Sequence, residues 1–155
     1  MATRLETPSE GIFIRKGFAI SSPTGEIVTF GKNNEFRIPV HRQVPGSEFC
    51  AEACLAMLGY PACELVTDNV GVAPLDVEMF AGAQDMDWTK EGFIYDVPYM
   101  IEGIRHATNN PHWYIRVGNN VIDPLNGVVE DAEAYERREI GEIVAVMRVP
   151  FLTSS

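Results

Sequence analysis

A chain of 155 residues with a formal net charge of −10 is long enough to bury about two-thirds of its unfolded surface, and it fits one domain over 1–155. Twelve Lys and Arg against 22 Asp and Glu disfavour a nucleic-acid backbone as partner; the acidic excess reads first as a solvated surface and second as an attraction for a basic protein or peptide. No apolar run approaches the roughly 20 residues of a membrane helix, and MATRLETPSEGIFIRKG lacks the apolar core of a Sec signal, so no membrane partner is expected.

Residues 1–10 are polar and read as a flexible end. Segment 11–42 reads as a β-hairpin region. GFAIS and EIVTF flank Ser22-Pro23-Thr24-Gly25, which has the composition of a turn. Gly31-Lys32-Asn33-Asn34 forms a second turn. EFRIPV is a third strand, and Pro39 assigns it to an edge.

Segment 43–150 carries the core. After the Pro45-Gly46 turn, Ser47 can cap a helix through FCAEACLAMLG, which Gly59 and Pro61 end. Almost every position there is apolar, which marks a central buried helix. A loop follows over 61–74, then a helix near 75–84 and a polar loop, DMDWTKEGF. PYMIEGIRHAT, with Pro98 in its first turn, reads as a helix over 98–108. Beyond it HWYIRVG, NNVIDP, NGVVE and EIVAVMRV read as a β-meander, with a short helical turn over 131–138. Strands and helices in separate runs define an α+β fold, a central helix on an antiparallel sheet.

Three cysteines with no CxxC argue against a disulfide framework. They point to a reducing, cytoplasmic compartment, with delivery by a route other than Sec left open. Cys50 opens the buried helix, where free N–H groups and the helix dipole favour a thiolate. Taken alone, a helical cysteine is more often a core residue. Three further residues change the odds. Gln43 lies across the Pro-Gly turn and can pair its amide with the Cys50 N–H as an oxyanion hole. His112 sits where a loop meets a strand, a common address for catalytic groups. Asp123 ends the partner strand. A two-residue loop at Gly118-Asn119 pairs Val117 with Asn120 and sets Asp123 diagonal to His112 on one face. A three-residue loop would separate them onto opposite faces.

Gln43, the stretch Cys50–Leu58, His112-Trp113 and Asp123-Pro124 together resemble papain-like cysteine peptidases. The closest likeness is to the compact group that includes bacteriocin-leader peptidases. Order and spacing over residues 43–125 carry the resemblance. It departs at Ala51, where the family usually has Gly, and at Gln43, which lies seven residues before the cysteine rather than six. The resemblance implies a papain-like fold and a thiol hydrolase that cleaves a peptide or isopeptide bond in a protein substrate, as bacterial effectors and phage enzymes of this type do. Cys50 is then nucleophile, His112 base, Asp123 orienter and Gln43 oxyanion donor, with no metal or cofactor. Acyl transfer or deamidation would use the same residues. A catalytically silent binding module and an acidic decoy are readings from other classes.

Other residues carry less. Cys54, one turn after Cys50, reads as a small core residue before a resolving thiol. Cys63 has no evident partner. His41 could line a cleft, His106 falls at a helix end, and Trp88 could wall a groove or simply pack. Zinc held by Cys50, Cys54, His106 and His112 matches no common ligand spacing.

Overall fold

A computed structural model of the chain describes residues 13–15, 18–60, 72–87 and 97–152. The expected flexible end, Cys63, Trp88 and most of the loops around them lie outside that set. The described elements are β1 (Phe13–Arg15), β2 (Phe18–Phe30), β3 (Phe36–Gln43), α1 (Cys50–Met57), α2 (Pro74–Ala81), β4 (Gln84–Asp85), β5 (Pro98–Arg105), β6 (Pro111–Val117), β7 (Asn120–Asp123), β8 (Val128–Asp131), α3 (Ala132–Glu139) and β9 (Ile140–Arg148). They form an α+β protein. One sheet has the order β1-β2-β3, and a six-stranded antiparallel sheet has the order β4-β9-β5-β6-β7-β8.

Helix α1 lies between the two sheets, packed on β2 and β3 and on β6. Residues Ala51 to Met57 are all buried, as the apolar sequence requires. Ser47 does not cap the helix. The helix begins later, after Phe49, and no side chain caps it. Ser47 Oγ instead accepts from the Phe49 N–H at 3.4 Å. A missing cap costs about 1 kcal/mol. Full burial of Leu55, Met57 and Leu58 contributes about 1.5–3 kcal/mol each, so packing holds the helix. Gly59 ends it at φ +97°, where an added Cβ would stand 2.3 Å from the Leu152 carbonyl oxygen. Only a glycine fits that approach.

The main core joins Ile20, Val28, Ile38 and Val40 of the small sheet, α1, and Met100, Trp113, Ile115, Ile122 and Met147 of the large sheet. A second core covers the other face of the large sheet, where Tyr99, Ile101, Tyr114, Val121 and Val146 meet Ala132 and Tyr135 of α3. The large sheet is therefore covered on both faces.

That double covering explains the main correction. Residues 98–105 form a central strand, β5, where the sequence suggests a helix over 98–108. A strand buried on both faces loses its polar alternation and reads as a continuous apolar run. Met, Glu and an initial Pro also suit a helix start. His106 accordingly sits in the turn after β5 and not at a helix end.

A second correction concerns Ser22-Pro23-Thr24-Gly25. The chain does not reverse there. β2 runs through it with a bulge between Pro23 and Ile27, and Gly25 takes φ +95°. Thr24 bridges the bulge by donating to the Val40 carbonyl at 3.3 Å. The turn at 31–34 forms as expected, closed by the Asn34 N–H on the Gly31 carbonyl at 3.1 Å. β3, with Pro39, is an edge strand. α2 ends at Ala81, short of the expected 84. The expected short turn near 131–138 is a two-turn helix, α3, capped by the Asp131 side chain on the Ala134 N–H.

Candidate functional site

The hairpin between β6 and β7 takes the two-residue loop. Val117 pairs with Asn120 and Ile115 with Ile122. This register sets Asp123 across from Tyr114, diagonal to His112 and on its face. The His112 ring donates from Nε2 to Asp123 Oδ1 at 2.7 Å, and both side chains are about 6% exposed.

The turn after β7 fixes the carboxylate. Asp123 Oδ1 also accepts the Leu125 N–H at 3.0 Å, and the Gly127 N–H closes on the Asp123 carbonyl at 2.8 Å. Tyr135 of α3 donates its hydroxyl to Oδ2 at 2.9 Å. Burial alone would raise the Asp123 pKa. The hydrogen bonds from His112, Leu125 and Tyr135, with the charge of His112, outweigh it and hold the pKa below its ordinary value. Burial likewise pulls His112 down, but Asp123 and Cys50 more than offset it, and its pKa rises from 6.5 to about 9.

Cys50 is half-buried at the first position of α1. β7 stops at Asp123, so the outer edge of β6 is open beyond Tyr114. There the Trp113 N–H donates to Cys50 Sγ at 3.5 Å. The thiol also lies close enough to the His112 ring to act on its titration. With Nε2 given to Asp123, Nδ1 is the ring nitrogen left for the sulfur. Trp113 is locked by its indole N–H on the Val72 carbonyl at 3.0 Å. A half-buried thiol thus neighbours an imidazole that a buried carboxylate holds in one orientation, an arrangement suited to nucleophilic attack on an acyl carbon.

Gln43 ends β3 and is 3% exposed. Its backbone N–H reaches the Pro124 carbonyl at 2.7 Å, tying the small sheet to the Asp123 turn. Its side-chain Nε2 donates to the Ser47 carbonyl at 2.9 Å, in the loop that leads to Cys50. One Nε2 proton is left over, and Oε1 is buried with no hydrogen-bond partner. The bulge of β2 closes on the same region: a Cβ at Gly127 would stand 2.6 Å from Thr24 Cγ2.

Other candidates fall elsewhere. Cys54 is fully buried, and burial pushes its thiol pKa well up, as expected of a core cysteine. His41 does not line an open cleft. It is buried on β3 with Nδ1 at 2.8 Å from Ser21 Oγ, and burial lowers its pKa to about 4. The His106 backbone N–H bonds the Glu139 carbonyl at the end of α3. Among the described residues no three His, Cys, Asp or Glu side chains group as metal ligands. No helix among them is long and apolar enough to cross a membrane.

Sequence reasoning missed two residues near this site. Tyr135 carries a signal in retrospect. It and Ala132 are the buried positions of an otherwise charged helix, AEAYERRE, and a buried tyrosine hydroxyl needs a partner. Glu52 is the second, 2% exposed with Oε1 unpartnered, and burial raises its pKa to about 7. No known protein family, characterised protein or solved structure matches the chain.

Proposed function

We propose that this protein is a papain-like thiol hydrolase that cleaves a peptide or isopeptide bond through an acyl-thioenzyme. The gathering of Cys50, whose sulfur the Trp113 N–H holds, with the hydrogen-bonded His112–Asp123 pair, at the junction of a central helix and an antiparallel sheet, carries the reading. The position of α1 between two sheets supports the papain-like fold.

The chemistry follows from the contacts. Cys50 sulfur, as thiolate, bonds to the acyl carbon. The carbonyl electron pair moves onto oxygen, where the Cys50 N–H and the second Nε2 proton of Gln43 are the donors. The first N–H groups of a helix have no intrahelical acceptor, so that of Cys50 is available. His112 gives its proton to the leaving amine as the C–N bond breaks. Neutral His112 then takes a proton from water, whose oxygen attacks the thioester and frees the acid and Cys50. Asp123 keeps the ring in one tautomer throughout. The excess of carboxylates draws basic substrates by long-range attraction.

The test is digestion of a mixed peptide library, with new termini read by mass spectrometry. The wild-type chain should generate a consistent set of cuts, and Cys50→Ala and His112→Ala should generate none. Cuts that persist in Cys50→Ala would overturn the reading.

A further inference from the structure

Glu102 occupies an unusual place on the large sheet. Along β5, Met100 joins the α1 core, whereas Tyr99 and Ile101 join the α3 core. Side chains alternate along a strand, so Glu102 projects on the α1 face with Met100. It lies directly across from Trp113 on β6 and from Ala145 on β9. Trp113 is the residue whose N–H holds the Cys50 sulfur. Cross-strand neighbours have Cβ atoms about 4.5–5.5 Å apart, so Glu102 stands one strand from the anchor of the thiol. The register of β5 on β9 breaks between Glu102 and Gly103, and a bulge at such a point re-aims side chains.

Glu102 is 9% exposed, and no basic side chain among the described residues pairs with it. The arginines nearest along these strands are used on the opposite face. Arg105 pairs with Glu139 and Arg116 with Glu136, both on α3. Burial accordingly raises the Glu102 pKa. A buried carboxyl without a counter-ion is costly, and an arriving cation offsets that cost.

Resting on the thiol-hydrolase reading, we propose that Glu102 selects substrates that carry a Lys or Arg side chain beside the scissile carbonyl. The bound ammonium or guanidinium would supply the partner that no described residue provides. It would also hold the acyl carbon over Cys50.

The test uses the full chain and two peptidyl acyloxymethyl ketones, identical except for Lys or norleucine in the two residues on the acyl side. Labelling of Cys50 is followed by intact mass. The Lys probe should label the wild type about tenfold faster or more, and Glu102→Gln should bring the two rates within about twofold. Iodoacetamide alkylation of Cys50 should be unchanged in Glu102→Gln, which separates recognition from loss of the thiol site. Equal rates for both probes on the wild type would overturn the assignment, and so would a Lys preference that survives Glu102→Gln. If neither probe labels a chain that iodoacetamide still alkylates, thiol hydrolysis itself fails, and the role of Glu102 goes with it.

Discussion

The hydroxyl of Tyr135 donates to Asp123 Oδ2 at 2.9 Å, the oxygen that His112 leaves free. The contact links α3 to the candidate site through the sheet and fills the second oxygen of a buried carboxylate. Tyr135→Phe keeps the ring against Tyr114, whose centroid is 5.2 Å away, and deletes only the donor. A buried acceptor left unsatisfied costs about 1–3 kcal/mol, so urea unfolding at pH 7 should show that loss. The Asp123 pKa is depressed in the folded state, so its contribution is present above about pH 4 and fades as pH falls through the folded value. The gap between wild type and Tyr135→Phe should narrow over that acid range.

His112 titrates in the opposite sense. Its folded pKa of about 9 lies above the ordinary 6.5. The stability it contributes is therefore full below pH 6.5 and is lost as pH rises through 9. Urea midpoints should fall across that window, by on the order of 1–3 kcal/mol in free energy. Cys50 is one of the partners that raise His112. In Cys50→Ala the imidazole midpoint, read by nitrogen-15 NMR, should drop clearly below 9. An unchanged midpoint would mean that the two side chains do not interact.

Glu52 gives a stabilising substitution. Its folded pKa of about 7 exceeds the ordinary 4.5 because its carboxyl is buried. The neutral acid is tolerated, so the Glu52 contribution is most favourable below pH 4.5 and is lost as pH rises through 7. Glu52→Gln removes the charge and keeps the shape. It should gain about 1–3 kcal/mol at pH 8 and almost nothing at pH 4 in paired urea titrations.

The parts legible in the sequence are those whose signal is local. The helix after Phe49 is apolar nearly all round, Glu52 apart, so its burial follows from composition. The hairpin at Gly118-Asn119 is legible as a turn, but its register is not: two-residue and three-residue loops both fit the sequence, and only the pairing of Val117 with Asn120 decides that Asp123 comes to His112. The illegible parts depend on what packs from afar. β5 looked helical because α1 and α3 cover both its faces, a fact recorded in neither Met100 nor Ile101 alone. The bulge at Thr24-Gly25 has the residues of a turn, and only the partner strand β3 shows that the chain runs on. Tyr135 lies 12 positions beyond Asp123 in a charged helix, and its role appears only once α3 is folded onto the sheet.

The measurement closest to the central claim is the rate of Cys50 alkylation by iodoacetamide at pH 6, followed by peptide mapping in wild type and His112→Ala. Cys50 should react readily while buried Cys54 is spared. His112→Ala, with unchanged circular dichroism, should slow Cys50 by about tenfold or more. Equal Cys50 rates in the two proteins would contradict the pairing of thiol and imidazole on which the account stands.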